Sequence, residues 1–138
     1  MVEVYEEQYY EEPTFEDDDI TALTDDDGVR KKILVSGQPD DKPKKGAMVD
    51  VHYEGRLTDG TVFDSSYERG SPLNFNIGVG RVVEGWDIGI MSMNLGEKAE
   101  LTIESDYGYG DNGRPPSIPG YATMIFTVEL LGINGRKL

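Results

Sequence analysis

The residues that ordinarily carry catalysis are nearly missing from this chain. There is no cysteine, which removes thiolate chemistry, disulfides and cysteine-ligated zinc. His52 is the only histidine. One imidazole can serve a nucleophilic triad but not a histidine-rich metal site. Strand alternation puts it on the face opposite Val49, Val51 and Tyr53, as a surface or structural group. Gly108-Tyr109-Gly110-Asp111-Asn112-Gly113 spells the dinucleotide fingerprint. That fingerprint works only where its glycines open a helix against a pyrophosphate, and here Arg114-Pro115-Pro116-Ser117-Ile118-Pro119 follows and forbids the helix. Asp25-Asp26-Asp27-Gly28 has the look of a calcium loop, but its first and twelfth positions fall on Leu23 and Leu34, so no carboxylate completes it. No metal and no cofactor are expected. What remains is a set of aromatics, Tyr53, Phe63, Phe75, Trp86, Tyr107, Tyr109 and Phe126, with Asp64 and Arg69 among them. By type alone, aromatics on strands are core residues. Their order and context decide whether they are more than that.

The elements that must position them are short. Val29–Val35 reads as a strand, and Gln38–Gly46 as a polar loop. Met48–Leu57 alternates, with Val49, Val51 and Tyr53 on one face and Asp50, His52 and Glu54 on the other. Asp59-Gly60 signals a hairpin turn into Val62–Asp64. Leu73–Ile77, Glu97–Ile103 and Thr123–Leu131 complete the strands, and the imperfect alternation of the last marks it as central and buried on both faces. Val83, Trp86, Ile90 and Met93 recur at helical spacing, which gives one short helix over Val83–Met93. Gly85 and Gly89 weaken that helix intrinsically, so tertiary packing must hold it, with a sheet lying close to those glycines. The expected fold class is α+β: an antiparallel sheet of about five strands wrapped around one short helix, with room for a pocket between them.

The motifs now acquire a context. Val51-His52-Tyr53-Glu54-Gly55-Arg56-Leu57, Asp59-Gly60 and Val62-Phe63-Asp64-Ser65-Ser66 closely resemble the first signature of the FKBP family of peptidyl-prolyl cis–trans isomerases. Val82-Val83-Glu84-Gly85-Trp86-Asp87 resembles the second. The third is resembled by Glu104-Ser105-Asp106-Tyr107-Gly108-Tyr109-Gly110, Ile118-Pro119, Ala122-Thr123 and Phe126-Thr127-Val128-Glu129-Leu130-Leu131. The resemblance covers roughly residues 28–132 and implies an enzyme that turns Xaa-Pro peptide bonds in a dry aromatic pocket. It implies Trp86 as the floor and Tyr53, Phe63, Val82, Val83 and Phe126 as walls. The Val83 N–H and the Tyr109 hydroxyl would bond substrate carbonyls. Asp64 would sit at the rim beside Tyr53 and Arg69, either as a structural ion pair or as a field acting on the substrate amide. Phe75 and Ile118 complete the expected substrate and macrolide contacts. Leu73, Arg114 and Ser117 depart from the commonest pattern and mark a rim of altered specificity. Expected ligands are proline-containing peptides and proteins, and macrolide inhibitors of the tacrolimus and rapamycin type. Ile20-Thr21 before Asp27-Gly28-Val29, and the ending Leu130-Leu131-Gly132-Ile133-Asn134-Gly135, resemble the first domain of larger family members. This leaves a second reading open, a proline-binding or co-chaperone module with incidental isomerase activity.

Charge divides the chain. The net charge is -14, and residues 1–27 hold twelve acids and no Lys or Arg, which leaves 15 acids against 13 bases in residues 28–138. Residues 1–27 are expected to be a disordered acidic tail and residues 28–138 the isomerase domain. Tyr5, Tyr9 and Tyr10 among acids, and Thr14 and Thr24 before acids, are candidate recognition or modification sites within it. The tail could dock on a basic protein or a chaperone. Without clustered Lys and Arg, nucleic acid is not an expected ligand. No apolar run is long enough for a membrane span, and the acidic N-terminus does not fit a secretory signal. A cytoplasmic or nuclear protein is expected.

Overall fold

The computed structural model describes residues 19–138. Eight strands form one antiparallel sheet: β1 (Ile20–Ala22), β2 (Val29–Val35), β3 (Met48–Leu57), β4 (Val62–Ser65), β5 (Leu73–Asn76), β6 (Lys98–Ile103), β7 (Met124–Ile133) and β8 (Arg136–Lys137). A one-turn helix, α1 (Ser66–Arg69), joins β4 to β5, and α2 (Glu84–Met91) lies between β5 and β6. The sheet runs β1-β2-β6-β7-β3-β4, with β5 also on β3 and β8 on β7. Six strands and α2 stand where alternation and spacing put them; β1, β8 and α1 are additions to the expected set. No helix among the described residues is long and apolar enough to cross a membrane.

β3 organises the sheet. Val49, Val51 and Tyr53 are buried while the residues between them are only half-buried, which is the pleat expressed as a core face and an outer face. One edge of β3 pairs with β7 along most of its length. The other edge is shared, β4 taking Glu54–Arg56 and β5 taking Met48–Val51. The turn at Asp59-Gly60 forms as expected: Gly60 N–H donates to Leu57 O (2.9 Å), and Gly60 takes a positive φ of 93°. β7 is central, but only one of its faces is buried. Ile125, Thr127, Glu129 and Leu131 are half-exposed. Arg56 covers part of that outer face, donating to Thr127 Oγ1 (3.2 Å) and to Glu100 (2.7 Å). Burial thus alternates along Met124–Leu131, and the apolar Ile125 and Leu131 on the half-exposed face account for the double burial the sequence suggested.

The boundary between tail and domain lies further upstream than charge alone places it. Ile20, Thr21 and Ala22 pair with Lys32, Lys31 and Arg30 of β2. The turn that follows is closed by Thr24, whose Oγ1 donates to Asp26 Oδ1 (2.7 Å) and accepts from the N–H of Gly28 (2.9 Å). Asp26 also accepts from the Tyr107 hydroxyl (2.9 Å). The five uncharged residues Ile20 to Thr24 between two acid runs are enough for a three-residue strand against a basic neighbour. Residues 20–27 therefore belong to the folded unit. Tyr5, Tyr9, Tyr10 and Thr14 lie outside the described residues.

α2 sits close against the sheet because it has glycines where it touches. A Cβ at Gly85 would come within 2.6 Å of Ile103, and one at Gly89 within 2.6 Å of Leu101. Each glycine costs about 1 kcal/mol of helix propensity, and the close approach offsets it. Past the end of the helix, a buried ion pair fixes the chain. Lys31 Nζ donates to Glu97 Oε2 (2.9 Å) and to Ser92 O (2.9 Å), and Glu97 Oε1 accepts from Asn94 N–H (3.1 Å). Lys31 is 7% exposed and Glu97 1%. Breaking a buried pair by deleting one partner strands the other charge, at roughly 3–5 kcal/mol. Glu97→Ala is therefore expected to destabilise the domain by about that amount in denaturant titration, while Lys31→Met with Glu97→Leu recovers most of the loss. A single variant as stable as the parent would show that the pair holds nothing.

Candidate active site

Between α2 and the concave face of the sheet is a cavity of about 560 Å³. Its floor is Trp86, only 4% exposed, carried on α2 at a depth set by Gly85 and Gly89. The indole is held edge-on by Tyr53 from β3 (centroids 4.8 Å apart, 81°) and Phe126 from β7 (5.2 Å, 85°). Phe75 from β5 supports it at a tilt (5.8 Å, 39°). Edge-to-face pairs of this kind add about 0.5–1.5 kcal/mol each beyond area burial. The indole Nε1 is buried with no hydrogen-bond partner, which ordinarily costs about 1–3 kcal/mol. Among the described residues aromatic packing holds the ring, and the floor offers an apolar surface.

The walls come from strand ends and loops. Phe63 on β4 meets Phe126 at 5.5 Å and 89°. Both rings lie over Gly55 of β3, where a Cβ would come within 2.6 Å of Phe126 and 2.7 Å of Phe63. Gly55 is cross-strand partner to both Phe126 and Asp64, so the absent side chain makes room for the wall. Leu73, Val82, Val83 and Ile118 add apolar surface. Tyr109 and Arg114 stand at the side, the guanidinium 5.6 Å from the ring centroid and donating to the hydroxyl oxygen at 3.2 Å. That contact uses a lone pair and leaves the Tyr109 O–H proton free to donate. Among the described residues the Val83 N–H, just before α2, has no acceptor.

The rim is a closed triangle. Tyr53 Oη donates to Asp64 Oδ2 (2.6 Å), Arg69 donates to Asp64 Oδ1 (2.6 Å), and Arg69 also donates to Tyr53 Oη (2.8 Å). Partial burial works to raise the Asp64 pKa, but the hydrogen bonds from Tyr53 and Arg69 and the guanidinium charge outweigh it and hold the carboxyl below its ordinary range. Burial pushes the Tyr53 hydroxyl up, and its bond to Asp64 adds to this. Around neutral pH the triangle is thus one carboxylate, one phenol and one guanidinium.

Nine of the eleven residues singled out from the sequence line the cavity. Phe75 and Arg69 do not: Phe75 is buried behind Trp86, and Arg69 acts through Asp64 and Tyr53. Leu73, Arg114 and Ser117 stand on the lining, at the rim where the sequence departs from the commonest pattern. Tyr107 faces Asp26 instead of the cavity. His52 is structural, stacked on Tyr67 (4.4 Å, 15°) with Nδ1 2.7 Å from Ser66 Oγ. Sequence reasoning missed Arg81, Pro115 and Pro116 as lining residues. They are exposed loop positions without periodicity, so no pattern pointed to them. The Gly108–Gly113 run does not open a helix; it leads into a small hairpin in which Arg114 and Ile118 exchange backbone hydrogen bonds (2.8 and 3.0 Å).

Comparison with known proteins gives a consistent result. Residues 40–131 match the family described as FKBP-type peptidyl-prolyl cis-trans isomerase. FK506-binding protein 1A of Aspergillus fumigatus is 57% identical over 110 residues, which span 80% of this chain and 98% of that protein. A peptidyl-prolyl cis-trans isomerase of Schizosaccharomyces pombe is 53% identical over 110 residues, again 80% of this chain and 98% of the other. Peptidyl-prolyl cis-trans isomerase FKBP15-1 of Arabidopsis thaliana is 58% identical over 92 residues, 67% of this chain and 60% of its own length. Residues 40–131 take in β3 to β6, most of β7, both helices and the loops that build the cup, and with these relatives the chain belongs to the FKBP-type peptidyl-prolyl cis-trans isomerase family.

Proposed function

We propose that this cup receives the proline ring of an Xaa-Pro segment and that the peptide bond turns inside it. The observation that carries this is the floor: a buried indole with Tyr53, Phe63 and Phe126 beside it on the cavity lining. Rotation about a peptide bond faces a barrier of about 18–20 kcal/mol, because conjugation stiffens C–N. Uncatalysed Xaa-Pro bonds therefore turn over in roughly 10–100 s. The twisted transition state has lost conjugation and carries less charge on its carbonyl oxygen. Water favours the planar, more polar ground state; a dry aromatic wall removes that advantage. The Val83 N–H and the Tyr109 O–H hold the flanking carbonyls while the bond turns. Tighter binding of the twisted form than of the planar forms is sufficient for catalysis. A millionfold acceleration needs about 8 kcal/mol, within reach of several aromatic contacts and two hydrogen bonds.

The volume of the cup suits a drug-sized ligand, for which pockets run roughly 300–1,000 Å³. Macrolides of the tacrolimus and rapamycin type occupy the same surface as the proline ring. In exchange spectroscopy on a Leu-Pro peptide, stoichiometric tacrolimus is expected to abolish turnover. Tyr109→Phe, which deletes the donor, should lower kcat/KM by roughly threefold to tenfold. Full turnover with macrolide bound would place the reaction elsewhere.

Asp64 acts by holding Tyr53 and Arg69 in place; its own charge is offset by the guanidinium at 2.6 Å. Asp64→Asn should keep the fold and lower kcat/KM. A carboxyl with a depressed folded pKa contributes what is present above its unfolded value, about 3.9, and lost as pH falls through the folded one. The ratio of parent to Asp64→Asn activity should therefore be constant from about pH 8 to 5 and shrink only below the ordinary carboxylate range. A ratio that changes around neutrality would contradict this ionisation state.

A further inference from the structure

The mouth of the cup carries positive charge outside the Asp64–Arg69–Tyr53 triangle. Two arginines line it, Arg81 from the loop before α2 and Arg114 from the hairpin after Gly113, and both are exposed. Among the described residues neither pairs with a carboxylate; the ion pairs there belong to Arg30, Lys31, Arg56, Arg69 and Arg136. The one acid lining the cavity, Asp64, is already taken by Arg69 and Tyr53. Glu84 and Asp111, the acids nearest to the two arginines in sequence, do not line it.

Both arginines are presented by built loops. Asp87 of α2 turns back and accepts from the N–H groups of Gly78 (2.8 Å) and Gly80 (3.0 Å), which pins the turn immediately before Arg81. Arg114 is held by its backbone exchange with Ile118 and by its seat over the Tyr109 ring. Between them the apolar floor has no charge of its own. A proline ring seated on Trp86 would bring the residues on either side of it to this rim.

We propose that the cup selects prolines flanked by an acidic side chain, with Arg81 and Arg114 as the specificity-determining residues. A carboxylate immediately before or after proline would find a guanidinium with unused donors, a partner suited to it in shape and charge. A lysine in the same place would meet like charge. Exposed pairs of this kind are modest, each worth roughly twofold to fivefold in affinity. Such a bias leaves apolar substrates accessible and orders the charged ones. The selectivity rests on the cup being the site of the proline ring.

The test is a peptide series with Glu, Gln or Lys before proline, and a second with the same three after it. Turnover is measured by exchange spectroscopy at low salt and at about 1 M salt, where screening reaches about 3 Å. Within the parent protein, kcat/KM should order Glu above Gln above Lys in at least one series, with roughly twofold to fivefold between neighbours, and the spread should collapse in high salt. Arg81→Gln with Arg114→Gln should erase the order, whatever happens to absolute rates, and Arg81→Lys with Arg114→Lys should keep it. Equal turnover of Glu and Lys peptides by the parent overturns the inference, as does an order that persists in the double glutamine variant. A Leu-Pro peptide with and without tacrolimus separates the two levels. If macrolide fails to block its turnover, the cup is not the proline site; if the block holds and the order is absent, only the charge selectivity fails.

Discussion

Everything at the site depends on how near α2 comes to the sheet. Gly85 against Ile103 and Gly89 against Leu101 let the helix backbone settle where any larger residue would collide. That distance fixes how deep Trp86 lies, and the depth of Trp86 decides whether the space above it is a cup or merely an interior. Tyr53 and Phe126 can meet the indole edge-on only at that depth. The same trade recurs on β3, where Gly55 gives up a side chain so that Phe63 and Phe126 can lie over the strand. In both places a residue with poor intrinsic propensity is used because a neighbouring group must occupy its volume.

The cup separates two electrostatic tasks. In the proposed mechanism its floor and walls must be dry, because that mechanism works by withholding the solvation that favours a planar amide. Charges close to the bond would restore some of that preference. The molecule keeps charge off that floor: Asp64 is paired with Arg69 at the rim, and Arg30–Glu104 and Arg56–Glu100 pair away from the cavity. Tyr53 links the two regimes, its ring forming a wall and its hydroxyl belonging to the rim triangle. A phenol suits that boundary because one end is apolar and the other needs partners.

Much of this was legible in the residues. The alternation of Val49, Val51 and Tyr53 placed the core face of β3, and the spacing of Val83, Trp86, Ile90 and Met93 placed α2, because periodicity reports burial directly. The close approach of the sheet to Gly85 and Gly89 could be inferred as well, since a helix with two glycines needs an external reason to exist. Aromatic type alone could not distinguish Phe75, which supports Trp86 from behind, from Phe126, which faces the cavity. Both are buried on strands, and only the packed structure separates them: Phe126 meets the indole edge-on and lines the cavity, while Phe75 lies tilted against it and does not. The strand at Ile20–Ala22 is concealed for another reason: between two acid runs, the five uncharged residues Ile20 to Thr24 carry little weight in the charge density of the segment. Arg81, Pro115 and Pro116 lie on loops, where no period exists to betray a direction.

The loops are also where one isomerase can differ from another. A rate enhancement built on a dry floor depends on Trp86 and its aromatic neighbours, and changing any of these changes the reaction for every substrate alike. The hairpin from Arg114 to Ile118 and the turn pinned by Asp87 sit outside that constraint. With a proline ring in the cup as proposed, side chains there would touch what flanks the proline, not the bond that turns, so they could alter which proteins are bound with little effect on how the bond is twisted. Arg114 is the exception that joins the two, because the guanidinium at the mouth also donates to the Tyr109 hydroxyl inside the cup. A carboxylate drawn to Arg114 would compete for that guanidinium and loosen its hold on Tyr109. On the proposed mechanism, recognition at the rim would then be coupled, through this single hydrogen bond of 3.2 Å, to the donor proposed to hold a carbonyl beside the turning bond.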